Sequence, residues 1–305
     1  EKQATPLEFL GKYIYATKKI EAALNVKRLN ALPYLAYAKQ LPIDVKAFTF
    51  DSILINSDYS LLKKQLALST KANISNAYLA KDQLLLSGAA AILEASVTMD
   101  LQKANITGYD ITLRNIKAEF QAPQLPAKTF IHDAKLTIRP QGLKIEAAKA
   151  RLLDTIINCS GTLEDFANPT YTFVLSSYFP LTKAQDIAAL YVPGINSFTF
   201  DGSAQGEITI TKQKDKDHFE FSGSLKLSDA SLALKNQSFE ADAINGLIHF
   251  TNNTIEWNGL ALYAFNNTLS SNASISNLAA PLIDIEVASD TIALNSEFAY
   301  LTTGT

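Results

Sequence analysis

Ile248-His249-Phe250, a turn at Asn252-Asn253, then Ile255-Glu256-Trp257 put an apolar side chain at every second position. Successive side chains of a strand point to opposite faces, so this pattern makes a strand with one apolar and one polar side. The same rhythm recurs outward in both directions. It runs through Ile106 to Phe120, Phe130 to Ile138, Leu143 to Ala147, Tyr171 to Leu175, Leu225-Lys226-Leu227 and Ile283-Asp284-Ile285-Glu286-Val287. Turn-forming residues fall between these runs: Pro140-Gln141-Gly142, Asp201-Gly202 and Asn266-Asn267. Spacings of about 8 to 12 residues predict an antiparallel meander and leave no room for βαβ units.

The quoted stretch is also half of an internal repeat. Moving residues 131–177 forward by 112 lays them on 243–289 without a gap. Leu136 meets Ile248, Ile138 meets Phe250, Leu143 meets Ile255 and Ile145 meets Trp257. Ile157 meets Leu269, Leu163 meets Ile275, Pro169 meets Pro281, and Tyr171, Phe173 and Leu175 meet Ile283, Ile285 and Val287. Ser177 meets Ser289. The in-out phase is kept throughout, which points to a duplicated unit. Thr182-Lys183-Ala184-Gln185 then reads as a capping box opening a short helix that stops at Pro193-Gly194. One repeat later Asn295 is a cap for a helix over 296–301.

The first forty residues read differently. Thr5-Pro6-Leu7-Glu8 has a hydroxyl cap, a Pro at the first helical position and an acid close behind. Leu7, Leu10, Ile14, Lys18 and Ala22 follow at helical spacing, and a second helical piece is expected from Lys27 to Gln40, interrupted at Pro33. The expected organisation is a helical segment 1–42, a partial or divergent β unit 43–94, a β unit 95–205 ending in a short helix, and a shortened second copy 206–305.

Composition limits the chemistry. Of 305 residues 47% are hydrophobic and 19% charged, with a net charge of −3. That is too apolar for a disordered chain and lacks the basic surplus of a nucleic-acid binder. One Cys excludes an internal disulfide, which fits either the cytosol or a bacterial envelope protein that needs no bridges. No run approaches 18 apolar residues, and no signal peptide is expected within these residues.

Reactive motifs are sparse. Ser60-Leu61-Leu62-Lys63 matches S-x-x-K, in which a Lys activates a nucleophilic Ser, but the companion S-D-N and K-T-G elements are missing. His132, His218 and His249 are scattered as surface histidines, without metal-ligand spacing. Cys159 aligns with Ser271 and reads as a small structural residue. The four Asn-X-Ser/Thr triplets at Asn73, Asn105, Asn158 and Asn272 are what an Asn- and Ser-rich chain produces by chance. No enzymatic activity, cofactor or metal is expected.

Three stretches resemble a known family. Gly223-Ser224-Leu225-Lys226-Leu227-Ser228-Asp229-Ala230-Ser231-Leu232 is similar to the G-x-L-x-L-x-x-A-x-L opening of AsmA-like units, and Ile244 to Phe250 to their I-x-G-x-I-x-F element. Leu269 to Ile285, through Pro281, resembles their closing motif, with Ala273 where Gly is usual. The likeness is best over 207–300, weaker over 95–200, and hardly touches the first forty residues. It implies a bacterial envelope protein of the AsmA and TamB type, periplasmic and anchored in the inner membrane by a segment outside this chain. The implied fold is mainly β: an elongated, twisted antiparallel sheet of repeated units curled into an apolar trough, with short helices between units. The implied partners are phospholipid or other lipid acyl chains, with inner- and outer-membrane proteins as further candidates and no nucleic acid. Trough-lining residues would be Leu136, Ile138, Leu143, Ile145, Tyr171, Phe173 and Leu175, together with Leu225, Leu227, Ile248, Phe250, Ile255, Trp257, Leu269, Ile275, Ile283, Ile285 and Val287. The alternative is a structural or adhesive β-repeat protein whose apolar faces close on each other as a sandwich and whose loops bind protein or glycan.

Overall fold

A computed structural model describes residues 6–31, 44–123, 125, 127–189, 195–214, 216, 218–235, 239–277 and 280–289. The chain is mainly β. Among the described residues there are sixteen strands, which pair with their chain neighbours inside each compact unit. Contacts divide the chain into two compact units, Glu1–Asp154 with Asn158–Tyr171, and Thr155–Ile157 with Thr172–Thr305.

The first unit holds β1 (Leu7–Ile14), β2 (Lys19–Asn30), β3 (Asp44–Ser60), β4 (Gln65–Lys81), β5 (Leu84–Asp100), β6 (Asn105–Gln121), β7 (Thr129–Arg139), β8 (Gly142–Leu152) and most of β9 (Thr155–Glu164). The segment expected to be a helix is therefore β1 and β2, paired antiparallel with Leu7 opposite Val26 and Tyr13 opposite Ile20. A second period was present in those residues. Leu7, Phe9 and Tyr13 alternate, as do Ile20, Ala22, Leu24 and Val26, and a Phe, Tyr and Ile-rich stretch prefers the pleated surface. Pairing with β3 along the whole of β2 then outweighs a Thr-Pro start signal. Residues 32–40 of the second expected helix lie outside the described residues; Lys27–Asn30 belong to β2.

Local turn chemistry explains the hairpins. The four-residue turns at 15–18, 61–64 and 101–104 each end in a left-handed residue, Lys18, Lys64 and Ala104, with φ of 49°, 51° and 48°. Such a residue after a type I turn matches the right-handed twist of the flanking strands. The Asp100 carboxylate accepts the Gln102 and Lys103 amides inside the last of them.

The second unit holds most of β10 (Thr170–Pro180), then α1 (Leu181–Ala188), a 3-10 turn at Ile195–Ser197, and β11 (Phe198–Lys212), β12 (Glu220–Leu234), β13 (Glu240–Thr251), β14 (Thr254–Ala264), β15 (Asn267–Ser276) and β16 (Leu282–Ala288). Among the described residues α1 is the only α-helix. It covers the Thr182–Gln185 signal but lies within the second unit, so no described helix separates the units. The helix expected at 296–301 lies outside the described residues. The expected borders at 94/95 and 205/206 fall inside β5 and β11.

The repeat has structural counterparts. The offset of 112 carries the start of β8 onto β14, of β9 onto β15 and of β10 onto β16. Left-handed Leu153, Asp154 and Asp165 recur as Phe265, Asn266 and Asn277. The Ser177 hydroxyl donates to the Ile156 carbonyl at 2.8 Å, and the Ser289 hydroxyl to the Thr268 carbonyl at 2.9 Å.

Within each unit, among the described residues, strands pack on their sheet neighbours, and α1 packs on β11 and on the 3-10 turn. No large side chain is fully buried. The sandwich alternative needs a second sheet over the apolar face, and the described residues of each unit include none. What burial exists comes from neighbours on the same face. Val26, Ile53 and Ala72 form one small cluster with Leu24, Ile55 and Leu93 against it. Trimming Ile53, 7% exposed, to Val is expected to cost about 1 kcal/mol, measured by urea unfolding, because one buried methylene leaves a gap its neighbours fill only in part.

Candidate functional site

Residues directly opposite one another in a sheet share a face, so register defines rungs running across the strands. In the second unit one rung reads Gly206, Leu225, Ile248, Trp257, Ala273, Ile285 from β11 to β16, and the next reads Ile208, Gly223, Phe250, Ile255, Ile275, Ile283. Leu227, Leu269 and Val287 lie on the same face, two residues along their strands from Leu225, Ser271 and Ile285. Leu225, Leu227, Ile248, Phe250, Ile255, Trp257, Leu269 and Ile275 are half-buried, whereas Ile283, Ile285 and Val287 on β16 are more than half exposed.

The first unit is built alike. Leu7, Val26, Ile53, Ala72, Leu93, Leu113, Leu136 and Ile145 form one rung from β1 to β8. Phe9, Leu24, Ile55, Thr70, Ala95, Ile111, Ile138 and Leu143 form the neighbouring one. The expected Leu136, Ile138, Leu143 and Ile145 are thus the last two steps of rungs that begin at the chain's first strand. Tyr171, Phe173 and Leu175 share one side of β10 and are half-buried; burial pushes the Tyr171 phenol pKa up. The residues missed from sequence are Val26, Ile53, Leu93 and Leu113 with their neighbours. Their signal was the same alternation, interrupted by register shifts in β3, β4 and β5.

Equivalent rungs differ in a compensated way. Ile111 opposite Ile138 in the first unit becomes Gly223 opposite Phe250 in the second. A Cβ on Gly223 would stand 2.4 Å from the Glu207 carbonyl oxygen and 2.6 Å from the Phe250 ring, so backbone and ring together close over the position without a side chain.

The opposite face is polar. Ser224, His249, Glu256, Ser274 and Asp284 form its corresponding rung in the second unit, beside a groove of about 790 Å³ that Asn258, Asn272 and Glu286 also line. In the first unit Arg114 pairs with Glu94 at 2.7 Å, Lys128 with Glu119 at 2.9 Å and Arg139 with Asp110 at 2.7 Å. Lys135, with Thr137, holds the Glu146 carboxyl below the usual carboxylate range. These exposed pairs add little stability but keep that face wet.

The reactive motifs come to rest in local roles. The Ser60 hydroxyl accepts the Lys63 backbone N–H at 3.3 Å, capping the 61–64 turn. Cys159 is half-buried and its thiol pKa is raised by burial, which lowers its thiolate fraction. His132, His218 and His249 are exposed. Among the described residues no three His, Cys, Asp or Glu side chains are grouped to hold a metal, and no helix is long and apolar enough to cross a membrane. The arrangement offers a sheet with one largely apolar and one polar face in each unit. Comparison with family models, with curated proteins and with solved structures gave no match.

Proposed function

We propose that this chain is a non-enzymatic module that binds or conducts lipid acyl chains along its apolar sheet face, as an AsmA-like or TamB-like component of a bacterial envelope. The observation that carries the reading is the succession of largely apolar rungs in each unit, over which no second sheet lies among the described residues. Soluble monomers seldom leave so much contiguous apolar surface without a partner for it. Rungs of aliphatic and aromatic side chains suit a ligand that is itself apolar, long and without directional groups. The motif likeness over 207–300 points the same way, and the trough, the periplasmic location and a role in phospholipid transport or outer-membrane maintenance follow from that likeness.

The energetics fit passage better than storage. A chain lying on a one-sided face buries about half its surface, or about 0.4 kcal/mol per methylene, half the fully buried value. Sixteen methylenes then gain about 6 kcal/mol before ordering costs, an affinity in the tens of micromolar at best. Such a surface shields a chain from water yet lets it go.

The test is direct. Native mass spectrometry and solvent extraction of protein purified without detergent are expected to find phospholipid or fatty acid bound. Lipid-free protein whose apolar face also takes up no hydrophobic dye would sink the proposal.

A further inference from the structure

The apolar face of the second unit is not uniform along its strands. Over the first half of β11 its floor is rich in alanine: Ala204, Ala230, Ala241 and Ala264 are 0–3% exposed, the most deeply buried of that unit's described residues. They form one cluster with Leu181 of α1 and with Ile244 and Leu260, and Phe179 and Phe200 pack against it. Phe200 heads a rung through Leu232, Ala241 and Ala264. Six residues beyond Phe200 along β11, about 20 Å at the rise of a strand, and two beyond Ala204, Gly206 begins the rung of Leu225, Ile248 and Trp257, whose bulky, partly exposed side chains border the cluster on its other side.

Small floor residues leave room for something above them, and α1 supplies it. Its eight residues are too few to hold a helix in isolation. It is held from outside by Gln185. That side chain reads at first as the end of a capping box, but it reaches over to the next strand. Its Nε2 donates to the Ile195 and Phe198 carbonyls at 3.3 and 2.7 Å, and its Oε1 accepts the Phe200 N–H at 3.3 Å. One amide thus ties α1 to the 3-10 turn and to the first residues of β11.

We infer that α1 is a lateral stop on the acyl-chain surface of the second unit, and that Gln185 is the positioning residue that holds it there. A bound chain then lies across the strands, on the rungs of Leu225 and Phe250, and stays clear of the alanine floor. Those rungs cross six strands, about 24 Å at the usual strand spacing, against about 15 Å for the hydrocarbon of one bilayer leaflet. An acyl chain fits along them; along the strand direction it would run into α1. This inference rests on the acyl-chain reading.

The chain's single Trp makes the test simple, because Trp257 sits on the Leu225 rung. Dibromostearate quenches a tryptophan it touches. Wild-type emission is expected to be quenched on titration. With the reporter moved to the floor (Trp257→Phe with Phe200→Trp), quenching is expected to be several-fold weaker, and to return when Gln185→Ala is added. Phe239→Trp, on a ring that also packs against the cluster, serves if Phe200→Trp does not fold. In parallel, losing three hydrogen bonds, each a factor of about 5, should speed amide exchange in α1 about 100-fold in Gln185→Ala. Unchanged α1 exchange removes the positioning role of Gln185. Equal quenching at the floor and at Trp257 with Gln185 intact overturns the stop alone. No quenching of the wild type overturns the acyl-chain reading, and the stop with it.

Discussion

Ile285→Asp is expected to weaken acyl-chain binding about 100-fold while the chain stays folded. Ile285 is 55% exposed and stands opposite Ala273, at the end of the rung that contains Trp257. A carboxylate there keeps its water in the free protein, so the folded state loses little. When hydrocarbon covers the rung, that water is stripped from an unpaired charge at a cost of several kcal/mol. The readout is the dibromostearate titration of Trp257 fluorescence, with circular dichroism and urea unfolding as controls for the fold. In a sealed core the same substitution would put a charge among packed side chains and unfold the protein. Unfolding, or binding left unchanged, would count against an apolar face that works by being uncovered.

The second large effect is on stability. Gly202 sits at the irregularity between Asp201 and Ser203 where β11 meets β12, with φ of +91°, and the Asp201 carboxylate accepts its N–H at 2.7 Å. A Cβ there would lie 2.4 Å from the Asp229 carbonyl oxygen and 2.6 Å from the Ala230 Cα. Both are backbone atoms of the paired strand and cannot rotate aside. Gly88 in β5 has a φ of +59° but open space around the same position. Gly88→Ala should therefore cost only the left-handed penalty, about 1–2 kcal/mol. Gly202→Ala adds a displaced strand to a comparable penalty and should cost about 3 kcal/mol or more. Urea midpoints of the two variants check the order; equal losses would mean that the close approach at Asp229 does not matter.

Much of this molecule is legible residue by residue. Alternation through Ile248 to Trp257 and Ile283 to Val287 is a property of neighbours two apart, and any sheet built from it must put those side chains on one side. The repeat is legible for the same reason, since Leu136, Ile145, Ile248 and Trp257 keep their phase over 112 residues. The strands β1 and β2 were misread because Leu7 to Ala22 supports two periods at once, and the pairing partner that decides between them, β3, lies tens of residues away. Gln185 was misread in a related way. Spacing relates it to Thr182, but its hydrogen bonds go to Ile195, Phe198 and Phe200.

The sequence by itself determined that this chain has an apolar and a polar side, strand after strand, and almost no reactive groups to place on either. Whether the apolar side is covered was a matter for the tertiary structure alone. Alternation is set by the geometry of a single strand, whereas covering a face requires another layer, and nothing in the period of a strand says whether one arrives. Within each unit the rungs of Leu225 and Leu113 have their sheet neighbours and, among the described residues, no second sheet above them.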